Sequence, residues 1–459
     1  MDGPAQQETE ISRKTINAEE AGTEEFTRSK TPPVNRLPTE LLSRVLGFAI
    51  RATSPICFEH GHWKKELATV SRLWRDVIPS SPHFWNIINV APEWPLSAVK
   101  EHVERSCECL LDVIVNSWYY STDILGPILD EVVLHVHRWR SLIVWWDSTN
   151  SLPLLLQKLG DSTLPCLHYV SICGPGRCVS HTGFLRPENT PSLEQLRLEL
   201  NPIDSLPGQD AGPAGSIFPS RLLSQKLTTL SLVIRTKYAS LQSNSIFLPL
   251  LTSLALEVVE PRKLMEAIVA PKLVSFSFAR HESDNPFTFK LSAIFGGLDS
   301  KFSGVQDLIL RKPFVEQQNE DAVALCLAFS NVKNAEMTVT AAEQLFHLSG
   351  DSAPIDHWDQ LQCLVFNVSD FFEGDLPSTL ESLLARLSPE KRSKLRVVFT
   401  NFPPDRYDKR NSFDESDYIP FHIPFLYDQL DGICTQEYIN VPIATGLELT
   451  LRTDSPPRL

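Results

Sequence analysis

Two short runs of the sequence bring together side chains that could ligate a metal. Cys57, His60 and His62 fall within six residues, and Cys173, Cys178 and His181 within nine. Thiolate and imidazole are the usual zinc ligands, but a closed site needs four of them, and neither run has a fourth at a familiar spacing. The first is therefore expected to be a polar loop. In the second, Gly174-Pro175-Gly176 reads as a turn between structural units. The glycine-rich stretch GQDAGPAGS at 208–216 lacks the Lys-Ser/Thr that completes a phosphate loop, and Asp204 and Asp210 stand in no catalytic frame. With no nucleophile elbow, zinc-protease helix motif or kinase motif set in the chain, the expectation is a protein without catalytic residue, metal or cofactor.

Composition narrows the partners. Over 459 residues, 42 Lys and Arg face 56 Asp and Glu, and the resulting charge of −14 argues against nucleic acid or an anionic membrane as the main partner. No apolar run reaches the length of a membrane span, and the N-terminal MDGPAQQETEISRK has no apolar signal core. Nine cysteines, an odd number without any CxxC pair, read as reduced thiols, as in cytoplasm or nucleus. The sequon at Asn367 then carries no weight.

The elements that would carry any binding function lie in four segments. Residues 1–35 hold seven acidic and four basic residues but only Ile11, Ile16, Phe26 and Val34 as large apolar groups, too few to offset the entropy of ordering, so a disordered tail is expected. From Leu37 to Ile50 the apolar positions Leu37, Leu41, Leu42, Val45, Leu46, Phe48, Ala49 and Ile50 form a broad stripe on a helix whose first turn tolerates Pro38. A second helical pattern runs through HWKKELATVSRLWRDVIP, with Leu67, Val70, Trp74, Val77 and Ile78 on one face, and Phe84 and Trp85 are placed to fold back on both helices. This gives a small helical unit over residues 36–90, joined by a segment at 92–106 that is expected to be open to proteases.

Beyond residue 105 a single phrase recurs, apolar-x-x-apolar-x-apolar. It stands at LLDVIV, WRSLIV, LHYVSI, LEQLRL, LTTLSL, LTSLAL, LVSFSF, VQDLIL, VKNAEM and LQCLVF, starting 29, 28, 26, 34, 24, 22, 32, 27 and 29 residues apart. Helix-like patterns such as KLMEAIVA, AVALCLAF and LPSTLESLLARL fill many intervals. A strand followed by a helix, repeated at this period, predicts an irregular α/β solenoid over 105–400 whose neighbours share one core, followed by a cap or tail over 401–459. By the period-two rule, Gln195, Arg197, Ser231, Ala255, Ser277, Ile309 and Glu336 should face away from that core.

The segments Leu37-Pro38-Thr39-Glu40-Leu41-Leu42, Val45-Leu46, Val70-Ser71-Arg72-Leu73-Trp74-Arg75 and Pro82-His83-Phe84-Trp85 resemble the F-box domain, in the F-box-like form common in fungi. The ten phrases resemble leucine-rich repeats. The resemblance implies a substrate receptor of a Skp-cullin-F-box ubiquitin ligase, with the helices on the Skp-type linker of the cullin complex and the repeats on an unknown target protein. Carried over by position, Leu37, Pro38, Leu41, Leu42, Val45, Leu46, Val70 and Trp74 would meet the linker. Two features depart from the family pattern. The link RATSPICFEHGH is longer than usual, and the Asn that follows the last Leu of a repeat by three residues occurs only at Asn201. The alternative reading is an interaction scaffold unrelated to ubiquitin, whose N-terminal helices cap the solenoid. Trp118, Tyr119, Tyr120, Trp145 and Trp146 follow the first two strand phrases. They serve equally as anchors for a target protein or as a seal on the solenoid end.

Overall fold

The structure is a computed structural model that describes residues 36–52, 60–116, 124–145, 151–160, 162–175, 184–201, 226–234, 241–259, 261–279, 291–298, 301–311, 319–346, 353–367 and 395–400. The expected N-terminal tail, the C-terminal segment 401–459, the 53–59 link and LPSTLESLLARL lie outside these residues. The chain divides into two compact units at Ile114/Val115.

The first unit opens with three helices, α1 (Thr39–Ala52), α2 (His60–Val70) and α3 (Arg72–Ser80). The single helix expected through HWKKELATVSRLWRDVIP is in fact two. Ser71 adopts an extended backbone, φ −157° and ψ 166°, and its hydroxyl accepts the Trp74 N–H, so it ends α2 and caps α3. The break moves Val70 off the face of Trp74, Val77 and Ile78 and leaves it exposed. A 3-10 turn (Pro82–Phe84) then delivers Phe84 and Trp85 to a core built with Leu42, Leu46, Val77 and Ile78, as the sequence predicts. Strand β1 (Ile87–Val90), helix α4 (Leu96–Arg105) and the start of β2 (Leu111–Val115) complete the unit. The boundary placed at residue 90 therefore falls inside a compact unit. The 92–106 joint is mostly helix, with Val99, His102 and Val103 buried, and is not the open segment expected.

The second unit contains ten described strands that join one parallel sheet in chain order, apart from the short pair noted below. They are β3 (Trp139–Val144), β4 (Tyr169–Pro175), β5 (Gln195–Asn201), β6 (Thr229–Ile234), β8 (Ser253–Val258), β10 (Ser275–Ala279), β11 (Asp307–Arg311), β12 (Asn334–Thr338), β13 (Cys363–Asn367) and β14 (Arg396–Thr400). The two missing numbers, β7 (Ile246–Phe247) and β9 (Ile268–Val269), pair with each other as a small parallel ribbon. Register is strict. Leu196, Leu230, Leu254, Phe276 and Leu308 stand side by side on successive strands, all buried, and the column two residues on runs through Leu198, Leu232, Leu256, Phe278 and Leu310. These columns are the last two apolar positions of the recurring phrase, and its first apolar position, such as Leu193, Leu227 or Val305, is buried at the turn before the strand.

One backbone device recurs at the strand entries. The Glu194 carbonyl accepts the N–H groups of Thr228 and Thr229 at 2.8 and 3.1 Å. The Thr228 carbonyl accepts those of Thr252 and Ser253 at 2.9 and 3.0 Å, and the Val274 carbonyl those of Gln306 and Asp307 at 2.8 and 3.0 Å. His168, Thr252, Gln306 and Lys333 do the same for the next repeat. A carbonyl oxygen has two lone pairs, so one acceptor can hold two consecutive donors and fix both the spacing and the register of the incoming strand.

The connections on the other side of the strands are uneven. In this unit they include α5 (Leu125–Val133), α6 (Ser151–Leu159), α7 (Pro261–Ala267), α8 (Leu291–Phe295), α9 (Asn319–Ala328) and α10 (Val339–Phe346). Helix α8 has five residues, too few to hold itself, and both its ends are secured by neighbouring repeats. The buried Asp321 carboxylate accepts the Ser292 N–H at 2.8 Å, and the Arg262 guanidinium donates to the carbonyls of Ile294 and Gly296. Gly297, at φ +75°, turns the chain out of the helix. Beneath lies an aromatic cluster in which Phe329 meets Phe276 at 5.0 Å and Phe295 at 5.3 Å. Removing the Asp321 carboxylate with Asp321→Ala should lower the unfolding free energy of this unit by about 1–3 kcal/mol. Phe276→Ala should lower it by about 3–5 kcal/mol. Urea unfolding measures both.

Candidate interaction surface

The helix that opens the first unit is amphipathic in two directions. Positions 42 and 46 are one helical turn apart, as are 41 and 45, so the sequence contains two adjacent apolar rows. Folding assigns them opposite fates. Leu42 and Leu46 are fully buried against Val77, Ile78, Phe84 and Trp85. Leu41, Val45 and Phe48 are 47, 47 and 74% exposed. Gly47, buried beside them, brings the helix close to the 3-10 turn, where a Cβ would sit 3.5 Å from Phe84, and Ser43 meets His83 at 3.2 Å.

The set expected on the docking edge is thus divided. Leu42 and Leu46 are corrected to core residues, because only one row of the helix can turn inward and theirs is the one that meets α3 and the 3-10 turn. Leu37 is half-buried on the core, Pro38 is exposed, and Val70 is 57% exposed at the end of α2. Trp74 is half-buried, packed on the core, and its indole N–H has no partner among the described residues. Phe48, absent from the predicted set, is the most exposed large apolar side chain on α1. Its spacing of seven from Leu41 was the available signal.

A second constellation in the same unit was not predicted. The Trp85 indole donates to the Ile78 carbonyl at 3.0 Å and lies under two cations, Lys64 Nζ at 4.6 Å and Arg105 Cζ at 4.4 Å from its centroid. His102 meets the rings of both Trp85 and Trp94 edge-on at 4.9 and 4.7 Å. Lys64 is 4% exposed. Burial pushes its amine down to about 7, with Glu101 opposing the shift and Arg105 adding to it. A buried lysine cannot be read from sequence periodicity, which treats it as a solvated charge.

In the second unit, Gln195, Arg197, Ser231, Ala255, Ser277 and Glu336 occupy the strand face opposite the buried columns and are half-buried or exposed, as the period-two rule requires. Ile309 departs from the pattern, since it is buried on that face. The face mixes signs, with Arg197 paired to Glu199 and Asn334 bonded to Asp307, and carries no uniform charge. Trp145 is half-buried, and its N–H donates to the Val115 carbonyl at 2.8 Å. Trp118, Tyr119, Tyr120 and Trp146 lie outside the described residues. So do Cys57, Cys178, His181, Asp204, Asp210, the GQDAGPAGS stretch and the side chains of His60 and His62. Among the described residues no group of three or more His, Cys, Asp or Glu could hold a metal ion, and no helix is long and apolar enough to cross a membrane. Six cysteines are described as free thiols, and complete burial raises that of Cys326 well above its ordinary range.

No family model matches the sequence, and no curated protein matches it. Solved structures do. One is the leucine-rich repeat-containing protein LegL7 from Legionella pneumophila, 13% identical, with 77% of this chain and 98% of that chain covered at a TM-score of 0.37.

The division of α1 into two rows has a direct consequence for stability. Leu42→Ala should cost about 2–5 kcal/mol, as for a large side chain cut from a core. Leu41→Asp, one residue earlier, should stay within about 0.5 kcal/mol of wild type. Urea midpoints of the two variants decide it.

Proposed function

We propose that this protein is a substrate receptor of a Skp-cullin-F-box ubiquitin ligase, in which α1 to α3 dock on the Skp-type linker and the parallel-strand repeats hold a target protein. The observation that carries the reading is the outward row Leu41, Val45 and Phe48, more apolar surface than an isolated helical unit leaves in water without a partner. The F-box-like segments at 37–46, 70–75 and 82–85 supply the identity of that partner. The mode is helix-in-groove recognition, with Phe48 as an anchor. The chain contributes no catalytic residue. It raises the local concentration of the target near the ubiquitin carrier, in cytoplasm or nucleus.

A second reading, a scaffold unrelated to ubiquitin, draws on one observation. The three helices pack in the same compact unit as β1, α4 and the start of β2, so they serve a structural purpose without any linker. Co-expression with a Skp-type linker separates the two. The receptor reading expects stable co-purification of the wild type and its loss in Leu41→Asp with Val45→Asp, whose urea midpoint stays at the wild-type value. A wild type that does not bind, or a double variant that binds as well, leaves the scaffold reading.

A further inference from the structure

Helix α2 is tied to helix α4 through one indole. Lys64 of α2 and Arg105 of α4 both lie over Trp85, whose own position is set by its bond to the Ile78 carbonyl. Two cations therefore draw on one ring. The carboxylate that faces them, Glu101, is already bonded to Arg105 at 2.8 Å, and no described carboxylate forms an ion pair with Lys64. His102 directs Nδ1 to the Ile87 carbonyl at 3.2 Å and its ring edge to Trp85. The remaining charges on the helices of this bundle, Lys65 and Glu66 on α2, Glu40 and Arg44 on α1, and Arg72, Arg75 and Asp76 on α3, are exposed to water. An ammonium placed in this joint has lost its hydration, meets a like charge on the same ring and finds its one counter-charge already engaged.

We propose that the joint is a proton-operated latch: uncharged, Lys64 lays its stem on Trp85 and holds α2 against α4, whereas on taking up a proton it moves to water and α2 loosens. The inference does not depend on the ligase reading. Its direction follows from linkage. In the closed joint the amine titrates near 7, and in the released helix it returns to the ordinary 10.5, so opening takes up a proton between these values. The latch weakens as pH falls from about 10.5 to about 7 and changes no further below that. Val70, at the end of the same helix, would be repositioned by the release.

The test uses the full chain labelled at its tryptophan indoles, with the Trp85 resonance assigned through Trp85→Phe. Between about pH 6 and pH 9 the Trp85 indole signal should shift with a midpoint near 7 in wild type and stay flat in Lys64→Met. A flat wild type overturns the proposal. So does an inflection that persists in Lys64→Met and disappears in His102→Gln, which would place the proton on the imidazole. Thermal melts give an independent reading: Lys64→Met should melt above wild type at pH 7, and the gap should close toward about pH 10. A gap that stays constant across that range overturns it as well.

Discussion

The backbone carbonyl that opens each strand of the second unit is the contact on which the array rests. It holds two consecutive N–H groups of the following repeat, and in doing so places the next strand at the right height, in parallel and in register. Everything inward follows from that register. Because the side-chain period of a strand is two, a slip of one residue would turn Leu230 and Leu232 out and Thr229 and Ser231 in, so the buried columns and the carbonyl clasp enforce each other. The helices behind the sheet are secondary. Their lengths run from five residues at Leu291–Phe295 to ten at Asn319–Ala328, and the shortest depends on Asp321 and Arg262 of its neighbours for its ends.

This explains which parts of the fold were legible in the sequence. The phrase apolar-x-x-apolar-x-apolar could be found because its last two apolar positions are the columns and its first is the turn residue beneath them. What could not be found was the means of stacking. The expected Asn ladder is missing, and its absence made the repeats look less regular than they are. The clasp uses main-chain atoms of His168, Glu194, Thr228, Thr252, Val274, Gln306 and Lys333, residues that share no side-chain property. An interaction made by groups common to all residues leaves no trace in residue type.

The first unit was read less well, for two physical reasons. A helical stripe says which residues are apolar and not which half of the stripe a neighbouring helix will cover. Leu42 and Leu46 could be told from Leu41 and Val45 only once α3 and the 3-10 turn were in place. The period of the second pattern also ran straight through Ser71, because leucine, valine and tryptophan kept their spacing across a residue whose hydroxyl caps the following helix. Lys64 lay outside the reach of any such argument. It is buried by Trp85, which is brought to it from 21 positions along the chain, and its unusual amine is a product of tertiary packing.

The clasp also sets the terms on which the array can change over time. Because it asks nothing of the side chains at Thr228 and Thr229, or at the matching pair of any other repeat, those positions are open to nearly the whole alphabet. The one letter they refuse is proline, which has no N–H to give. The face around them can therefore be rewritten, residue by residue, toward new partners while the stack beneath keeps its geometry.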